Sequence, residues 1–224
     1  MISILMPIYN GIEFIHESVG SILNQTFSDW ELIIGINGLP ENSDVFKKAN
    51  EYKSENVMVL DLFTIKGKSN ALNEMIKYCK YDYIALLDVD DIWHDKKLEK
   101  QVSFIEKYDV VGSRCIYFGD INGVVPYIPT GDITTFDFFK VNPIINSSCI
   151  IRKELCFWNH EWNGVEDYDL WLTLRNKNKI FYNCSEVLVK HRIHKSSAFN
   201  AKGNNNLVDD LKIKHLSNKS LICD

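Results

Sequence analysis

The 224-residue chain lacks the features that mark several common protein classes. No apolar run approaches the roughly 20 residues of a membrane-spanning helix, and a net charge of −5 gives no reason to expect a nucleic-acid partner. Its six cysteines include no Cys-x-x-Cys pair, which disfavours a zinc site and a dense disulfide framework. The sequence also contains no Gly-x-Gly-x-x-Gly after its first apolar segment and no Walker motif, so a dinucleotide site and a P-loop are disfavoured.

The same absences bear on where the protein resides. The opening MISILMPIYN is apolar but has no basic leader and no small-residue cleavage site, so we interpret it as a strand rather than a signal peptide. Scattered cysteines without pairing motifs are typical of free thiols in a reducing compartment. We therefore expect a cytoplasmic protein without a transmembrane segment, and peripheral attachment to a membrane remains open.

Strand and helix patterns alternate along the first 92 residues. Short apolar runs, typical of strands buried on both faces, are separated by segments in which apolar residues recur at helical spacing. This alternation predicts parallel βαβ units with right-handed crossovers. We predict an α/β fold, a single domain with a Rossmann-like, mostly parallel central sheet flanked by helices. The predicted strands of this part are Ile2 to Ile8, Glu31 to Ile36, Val57 to Leu62 and Tyr83 to Leu87.

The most informative stretch is YIALLDVDDIW, in which an apolar run ends in three acids. Aspartate is disfavoured in strands, so the strand should stop at Asp88, and open α/β sheets bind ligands at the carboxyl ends of their strands. In an extended segment Asp88 and Asp90 would point to the same side. Two carboxylates on one side suit Mg²⁺ or Mn²⁺, with a diphosphate completing the shell. An acidic turn that caps a helix beginning near Asp95 is the alternative.

A second acidic pair, Glu166 and Asp167, lies at the predicted start of the last long helix. The helix macrodipole favours acids in a first turn, so one interpretation is purely structural. The other is a general base beside a metal-bound leaving group. A neighbouring carboxylate or partial burial would raise the pKa of such a base towards the working pH.

Four motifs together resemble those of family 2 glycosyltransferases with the GT-A fold: PIYNG, SILNQTFSDWELII, LLDVDDIW and EDYDLWLTL. The resemblance covers residues 1–195. It implies transfer of a sugar from a nucleotide-sugar to an acceptor hydroxyl, with inversion and with a Mn²⁺ or Mg²⁺ cofactor. It also implies a GT-A domain over residues 1–200, with a nucleotide-sugar-binding half at 1–92 and an acceptor-binding half at 93–200. The polar residues 201–224 are predicted to form a tail or an appended helix.

The resemblance implies roles for residues on the donor side. Pro7 and Tyr9 would line the base and ribose of the nucleotide. Asp88 would approach the ribose or the sugar, and Asp91 would be a further substrate-binding residue. Lys68 would line the nucleotide pocket, although a lysine at a loop edge is often simply solvated.

The resemblance also implies which residues bind the metal and which one acts as the base. Asp90 would bind the metal, and His194, in the segment HRIHKSS, would be a further ligand because neutral imidazole suits such a position. A solvent-facing histidine at a strand end is the alternative for His194. Asp167 would take the proton of the acceptor hydroxyl, and Glu166 would position it or tune its pKa.

One segment departs from the family pattern. The family usually has two aspartates and a glycine after the second strand, whereas GINGLPEN places Ile36 and Asn37 there. The amide of Asn37 can still accept a hydrogen bond from a pyrimidine N–H. This favours a UDP-sugar, since guanine would gain more from a carboxylate that accepts two N–H bonds.

Two other functions compete with this hypothesis. A nucleotidyltransferase would combine a metal and a nucleotide on such a sheet, but PIYNGIEF is neither glycine-rich nor basic. A non-catalytic nucleotide-sugar-binding protein derived from the enzyme is favoured by Asn37 and disfavoured by the presence of Asp90 and Asp167. The acceptor, whether a glycan, a lipid-linked molecule or a protein, is left open by the sequence.

Overall fold

A computed structural model describes residues 1–195 and 205–220, with the side chains of the last helix described for residues 206–217. Residues 2–86 fold as predicted into strands separated by α-helices. The strands are β1 (Ile2–Ile8), β2 (Trp30–Asn37), β3 (Val57–Leu62) and β4 (Tyr83–Leu86). The helices are α1 (Ile15–Leu23), α2 (Asp44–Asn50) and α3 (Lys68–Met75).

These four strands form the parallel part of the sheet. β1 pairs in parallel with β2 and β4, and β2 pairs in parallel with β3. Successive side chains of a strand point to opposite faces, and the neighbours Ile4 and Leu5 are both fully buried, in apolar clusters on the two faces of the sheet. The continuous apolar character of β1 thus reflects helices and loops packed on both of its faces.

Two local features explain how these elements connect. The hydroxyl of Ser43 accepts the backbone N–H of Phe46 at 3.2 Å, which caps α2 at its start. A Cβ atom at Gly35 would lie 2.5 Å from Sδ of Met75, so the glycine allows α3 to pack closely against β2.

The remaining strands and helices complete a mixed sheet. The strands are β5 (Ile92–Trp93), β6 (Val110–Gly119), β7 (Gly131–Asp132), β8 (Ile150–Arg152) and β9 (Phe181–Ile193). The helices are α4 (Lys97–Val102), α5 (Glu166–Asn176) and α6 (Asn205–Ser220). The order across the sheet is β3-β2-β1-β4-β8-β6-β9-β5, with β7 paired to β9.

The position of β4 near the middle of this order agrees with the predicted α/β fold. β8 is antiparallel to both β4 and β6, whereas β6 and β9 are parallel. The parallel arrangement therefore dominates the first half of the chain, and the second half adds strands in both directions. α4 begins at Lys97, two residues after Asp95, near which a helix was expected.

The last helix packs on the helix that carries the second acidic pair. Leu211 of α6 is fully buried, and Nε2 of His215 lies 2.8 Å from Oδ1 of Asp169 on α5. The ammonium of Lys214 lies 4.8 Å from the ring centroid of Trp162. α6 thus contributes to holding the start of α5 in place.

The structure tests the predictions about free cysteines and about membrane-spanning helices. The cysteines at 79, 115, 149, 156 and 184 are free thiols, as expected, while Cys223 and the predicted boundary at residue 200 lie outside the described residues. In the part of the chain that the structure describes, no helix is long and apolar enough to cross a bilayer.

Candidate functional site

The candidate site lies at the carboxyl edge of the parallel strands. β1, β2 and β4 run in the same direction, so the residues that follow them meet at one edge. The β1–β4 ladder ends at Leu5, so Pro7, which lacks a backbone N–H, does not interrupt it. Tyr9 is 60% exposed after β1, whereas Asn37 at the end of β2 is 3% exposed. Tyr9 is therefore accessible to a ligand, and Asn37 is enclosed.

The acidic segment after β4 forms a tight turn. The backbone N–H of Asp91 donates to the carbonyl of Asp88 at 3.0 Å. The expectation that Asp88 to Asp90 form an extended segment was therefore wrong. The turn directs the three carboxylates to different partners.

Asp88 pairs with the predicted nucleotide-pocket lysine. Nζ of Lys68 lies 2.5 Å from Oδ1 of Asp88, and the amide of Asn146 donates to Oδ2 at 3.1 Å. Burial alone would raise the pKa of Asp88, but the Lys68 ammonium outweighs it and holds this pKa below its usual range. Asp88 is therefore an anion held in a fixed orientation.

Asp90 faces His194, the two residues predicted as metal ligands. Oδ2 of Asp90 lies 2.9 Å from Nε2 of His194. Burial, followed by the nearby charges of Asp91 and Asp88, raises the pKa of Asp90. A bound cation would stabilise the ionised form of this carboxylate, which has two acidic neighbours.

The donor atoms at Asp90 and His194 fit a divalent cation with an incomplete protein shell. Mg²⁺ and Mn²⁺ commonly bind one or two carboxylates and fill their other positions with phosphate oxygens and water. Within the described residues, no group of three or more His, Cys, Asp or Glu side chains is arranged to hold a metal ion. A cation held here would therefore draw ligands from the phosphates of a bound nucleotide.

Asp91 is 0% exposed and holds the end of β9 against the acidic turn. Its carboxylate accepts the backbone N–H of Arg192 at 2.8 Å and lies 3.0 Å from Nδ1 of His191. Burial would lower the pKa of His191, but Asp91 outweighs it and raises that pKa to about 9. The guanidinium of Arg192 donates to the backbone carbonyl of Asp90 at 2.8 Å. In this conformation the contacts of Asp91 are with the protein.

The second acidic pair lies at the start of α5, where Glu166 is buried and Asp167 is partly exposed. The carboxylate of Glu166 is 6% exposed and accepts the backbone N–H of Gly164 at 2.5 Å. Oδ1 of Asp167 accepts the backbone N–H of Tyr168 at 2.8 Å. Burial, and then the charge of Glu166, raises the pKa of Asp167 to about 6. This value is appropriate for a group that exchanges a proton near neutral pH.

Lys68 joins the two acidic clusters. Besides Asp88, its Nζ lies 3.7 Å from Oε1 of Glu166. Burial would lower the pKa of Lys68, but Asp88 and Glu166 outweigh it and raise that pKa, so the amine stays charged. The lysine is thus a bridge between the start of α3, the end of β4 and the start of α5, rather than a solvated side chain at a loop edge.

Two asparagines beside the candidate acids were not predicted from the sequence. Asn142 donates to Oδ2 of Asp167 at 3.2 Å, and Asn146 donates to Asp88. Both lie in VNPIINSS, a loop before β8. Asparagines are common in loops, so this segment carried no signal that could be separated from ordinary turn chemistry.

The mixed sheet with acidic groups at the carboxyl edge of its parallel strands agrees with the GT-A glycosyltransferase fold that the four sequence motifs imply. The model of the family Glycosyl transferase family 2 matches residues 3–157. The Escherichia coli glucosyltransferase WfgD is 30% identical over 205 residues, covering 88% of this chain and 79% of WfgD. The E. coli O-antigen biosynthesis glycosyltransferase WbnJ is 33% identical over 211 residues, covering 88% and 81%. The chain therefore belongs to glycosyl transferase family 2.

Solved structures share the fold at lower identity. Staphylococcus aureus TarS 1-349 in complex with UDP-GlcNAc has a TM-score of 0.72 and 18% identity, covering 89% of this chain. The mannosyltransferase PcManGT from Pyrobaculum calidifontis, in complex with GDP-Man and Mn²⁺, has a TM-score of 0.65 and 14% identity, covering 88% of this chain. The chain spans 60% of the TarS structure and 58% of PcManGT. The predicted family and fold are thereby confirmed.

Proposed function

We propose that this glycosyltransferase moves a sugar from a UDP-sugar to an acceptor hydroxyl with inversion, using a divalent cation at Asp90 and Asp167 as the general base. The observation that carries the proposal is the placement of two unlike acidic clusters on either side of Lys68. One cluster pairs a crowded carboxylate with an imidazole and suits a cation and a diphosphate. The other holds a carboxylate whose raised pKa suits proton transfer.

Inversion requires in-line attack by the acceptor hydroxyl on the anomeric carbon while the diphosphate leaves from the opposite face. Asp167 takes the hydroxyl proton, for which its carboxylate must be ionised. A pKa of about 6 leaves most molecules ionised at neutral pH and makes this carboxylate a stronger base than an ordinary aspartate. Glu166 positions the base, since its own oxygens are engaged by Gly164 and Lys68.

A divalent cation bound at Asp90 and His194 would supply charge that neutralises the leaving diphosphate. The structure of PcManGT was solved with Mn²⁺. Asp88 and Lys68, fixed by their ion pair, bind the donor beside the cation. Asp91 holds the chain that carries His194 and contributes to donor binding indirectly.

For the donor nucleotide, the names of two matched proteins support UDP. WfgD is named for UDP-Glc and the TarS structure contains UDP-GlcNAc, whereas PcManGT was solved with GDP-Man. Pro7 and Tyr9 line the nucleotide, whereas Asn37, which is 3% exposed, leaves its amide little access to the uracil edge. Calorimetric titration with UDP and GDP in the presence of Mn²⁺ tests this choice. Tighter Mn²⁺-dependent binding of GDP would contradict it.

For the acceptor, the name of WfgD specifies a sugar on diphosphoundecaprenol. This supports a lipid-linked acceptor over a free glycan or a protein, and a position at a membrane surface over one free in the cytoplasm. Radiolabelled UDP-sugars offered with polyprenyl-diphosphate sugars, free oligosaccharides and glycoprotein extracts test the proposal. Transfer only to the last two acceptor classes would contradict it.

Hydrolysis of UDP-sugars in Mn²⁺, with and without Asp90→Asn, separates an enzyme from a non-catalytic binding protein. An active transferase releases some sugar to water, and the substitution should abolish that release. Mn²⁺-dependent nucleotide binding with neither hydrolysis nor transfer to any acceptor would indicate the binding protein.

A further inference from the structure

The loop before β8 places one side-chain amide beside each acidic cluster. Nδ2 of Asn142 lies 3.2 Å from Oδ2 of Asp167, and Nδ2 of Asn146 lies 3.1 Å from Oδ2 of Asp88. Resting on the proposed function, we infer that both asparagines are positioning residues. Asn142 holds the base in its anionic form, and Asn146 holds the donor-side carboxylate in place.

This loop is anchored by buried hydrogen bonds from three other elements. Asn183 of β9 donates its amide to the carbonyl of Pro143 at 2.8 Å. Gln101 of α4 donates to the carbonyl of Ser148 at 2.8 Å, and the backbone N–H of Ser113 in β6 donates to the Ser148 hydroxyl at 3.2 Å. Hydrogen bonds in such a low-dielectric interior are strong, so the loop holds its two amides at fixed positions.

The orientation of the Asn142 amide is fixed by its own turn. Its Oδ1 accepts the backbone N–H of Ile144 at 3.3 Å, which leaves Nδ2 to face Asp167. Asp167 thus receives one donor on each oxygen, from Asn142 and from the backbone of Tyr168. Two donors stabilise the anion against burial in the interior.

The charged and titratable groups around Asp167 come from several elements. Glu166 on α5 raises its pKa, while Lys68 on α3 and the Asn142 amide lower it. The pKa of Tyr168 and that of Cys149 are each raised to about 12, chiefly by burial, so both groups are neutral near pH 7. Among these groups, Asn142 can lose its effect on Asp167 without a change in the ion pairs of Lys68.

The variant Asn142→Asp removes the donor while keeping the turn. The new side chain keeps an oxygen for the N–H of Ile144, so the turn persists, but it replaces the amide facing Asp167 with an acid. ¹³C NMR titration of the Asp167 carboxyl should show its midpoint raised by about one pH unit, because a hydrogen bond to the anion is lost and a like charge is added. Asn142→Leu removes the donor without adding a charge, although it also removes the acceptor of the Ile144 N–H, and it should raise the midpoint by a smaller amount.

The matched variant Asn146→Leu separates the two roles. It should leave the Asp167 midpoint in place and weaken UDP binding in Mn²⁺ about tenfold, since a hydrogen bond to a charged group is lost. In transfer assays, Asn142→Asp should shift the acid limb of the pH–kcat profile to higher pH. Asn146→Leu should raise KM for the donor. Melting curves establish that each variant is folded.

An unchanged Asp167 midpoint in both folded Asn142 variants would overturn the inference. Equal changes of midpoint and UDP affinity in the Asn142 and Asn146 variants would also overturn it, because they would indicate a general loosening of the loop. The carboxyl titration requires no sugar transfer. Absence of transfer by the unaltered protein therefore counts against the proposed function alone.

Discussion

The two acidic clusters of this protein differ in what surrounds them. In the turn after β4, Asp90 has two acidic neighbours and an imidazole 2.9 Å away. At the start of α5, Asp167 has one acidic neighbour, a nearby ammonium and two hydrogen-bond donors. The first environment leaves negative charge that a cation can neutralise, and the second supports an anion that takes up a proton near neutral pH. The two aspartates, Asp90 and Asp167, are therefore suited to different roles.

The largest expected effect on activity comes from a substitution at Asp167. Asp167→Asn preserves size but removes the base, so sugar transfer should fall about 10²–10⁴-fold, the usual contribution of general-base catalysis. Binding of UDP in Mn²⁺, measured by calorimetry, should stay close to that of the unaltered protein. Transfer at nearly the original rate with a true acceptor would place the base elsewhere.

The complementary change is Asp90→Asn. It removes the charge on which a cation at this position depends, so Mn²⁺-dependent UDP affinity should fall by about two orders of magnitude while the melting temperature is retained. Asp95→Asn is the matched control, since its side chain is 55% exposed and pairs with His94. Equal Mn²⁺ dependence in the Asp90 and Asp95 variants would remove the distinction between the clusters.

The pH profile tests the base directly. Asp167 must be ionised, and its pKa is about 6, so kcat should be level above pH 7 and fall tenfold per pH unit below 6. Lys68 lowers this pKa, so Lys68→Met should shift the fall to higher pH by about one unit. Lys66→Met controls for the change in net charge. A flat profile down to pH 5 would show that Asp167 does not titrate in the catalytic step.

The smallest expected effect concerns His194. His194→Ala removes one ligand among several, so Mn²⁺-dependent UDP affinity should fall about tenfold, less than for Asp90→Asn. His16→Ala serves as a control, because His16 contacts Tyr52 on an exposed surface. An effect of His194→Ala as large as that of Asp90→Asn would make the histidine an essential ligand.

Local sequence patterns predicted the first half of the fold well. The bounds of β1 and β3 agree residue for residue with the predicted strands, and β2 and β4 agree within one residue at each end. A strand buried on both faces leaves a continuous apolar run, and its neighbours in this half pair in parallel through intervening helices. The second half carries weaker sequence signals, since β8 spans only Ile150–Arg152 and a three-residue strand shows little periodicity.

The candidate site was only partly readable from the sequence. Asp88, Asp90, Glu166 and Asp167 were identified because acids interrupt apolar patterns at element boundaries. Their partners were less evident, since the chain from Asp88 to Asp91 forms a turn and not the expected extended segment.

The sequence by itself determined the elements of the first half, the family and the candidate acids of the site, because each leaves a mark within a short window. Only the tertiary structure decided which acid faces which histidine, which acids Lys68 bridges, and which acid each of Asn142 and Asn146 contacts. Those partners are brought together by the packing of separate elements. The pKa of a carboxyl depends on burial and on charges within a few ångströms, neither of which is defined until the chain has folded.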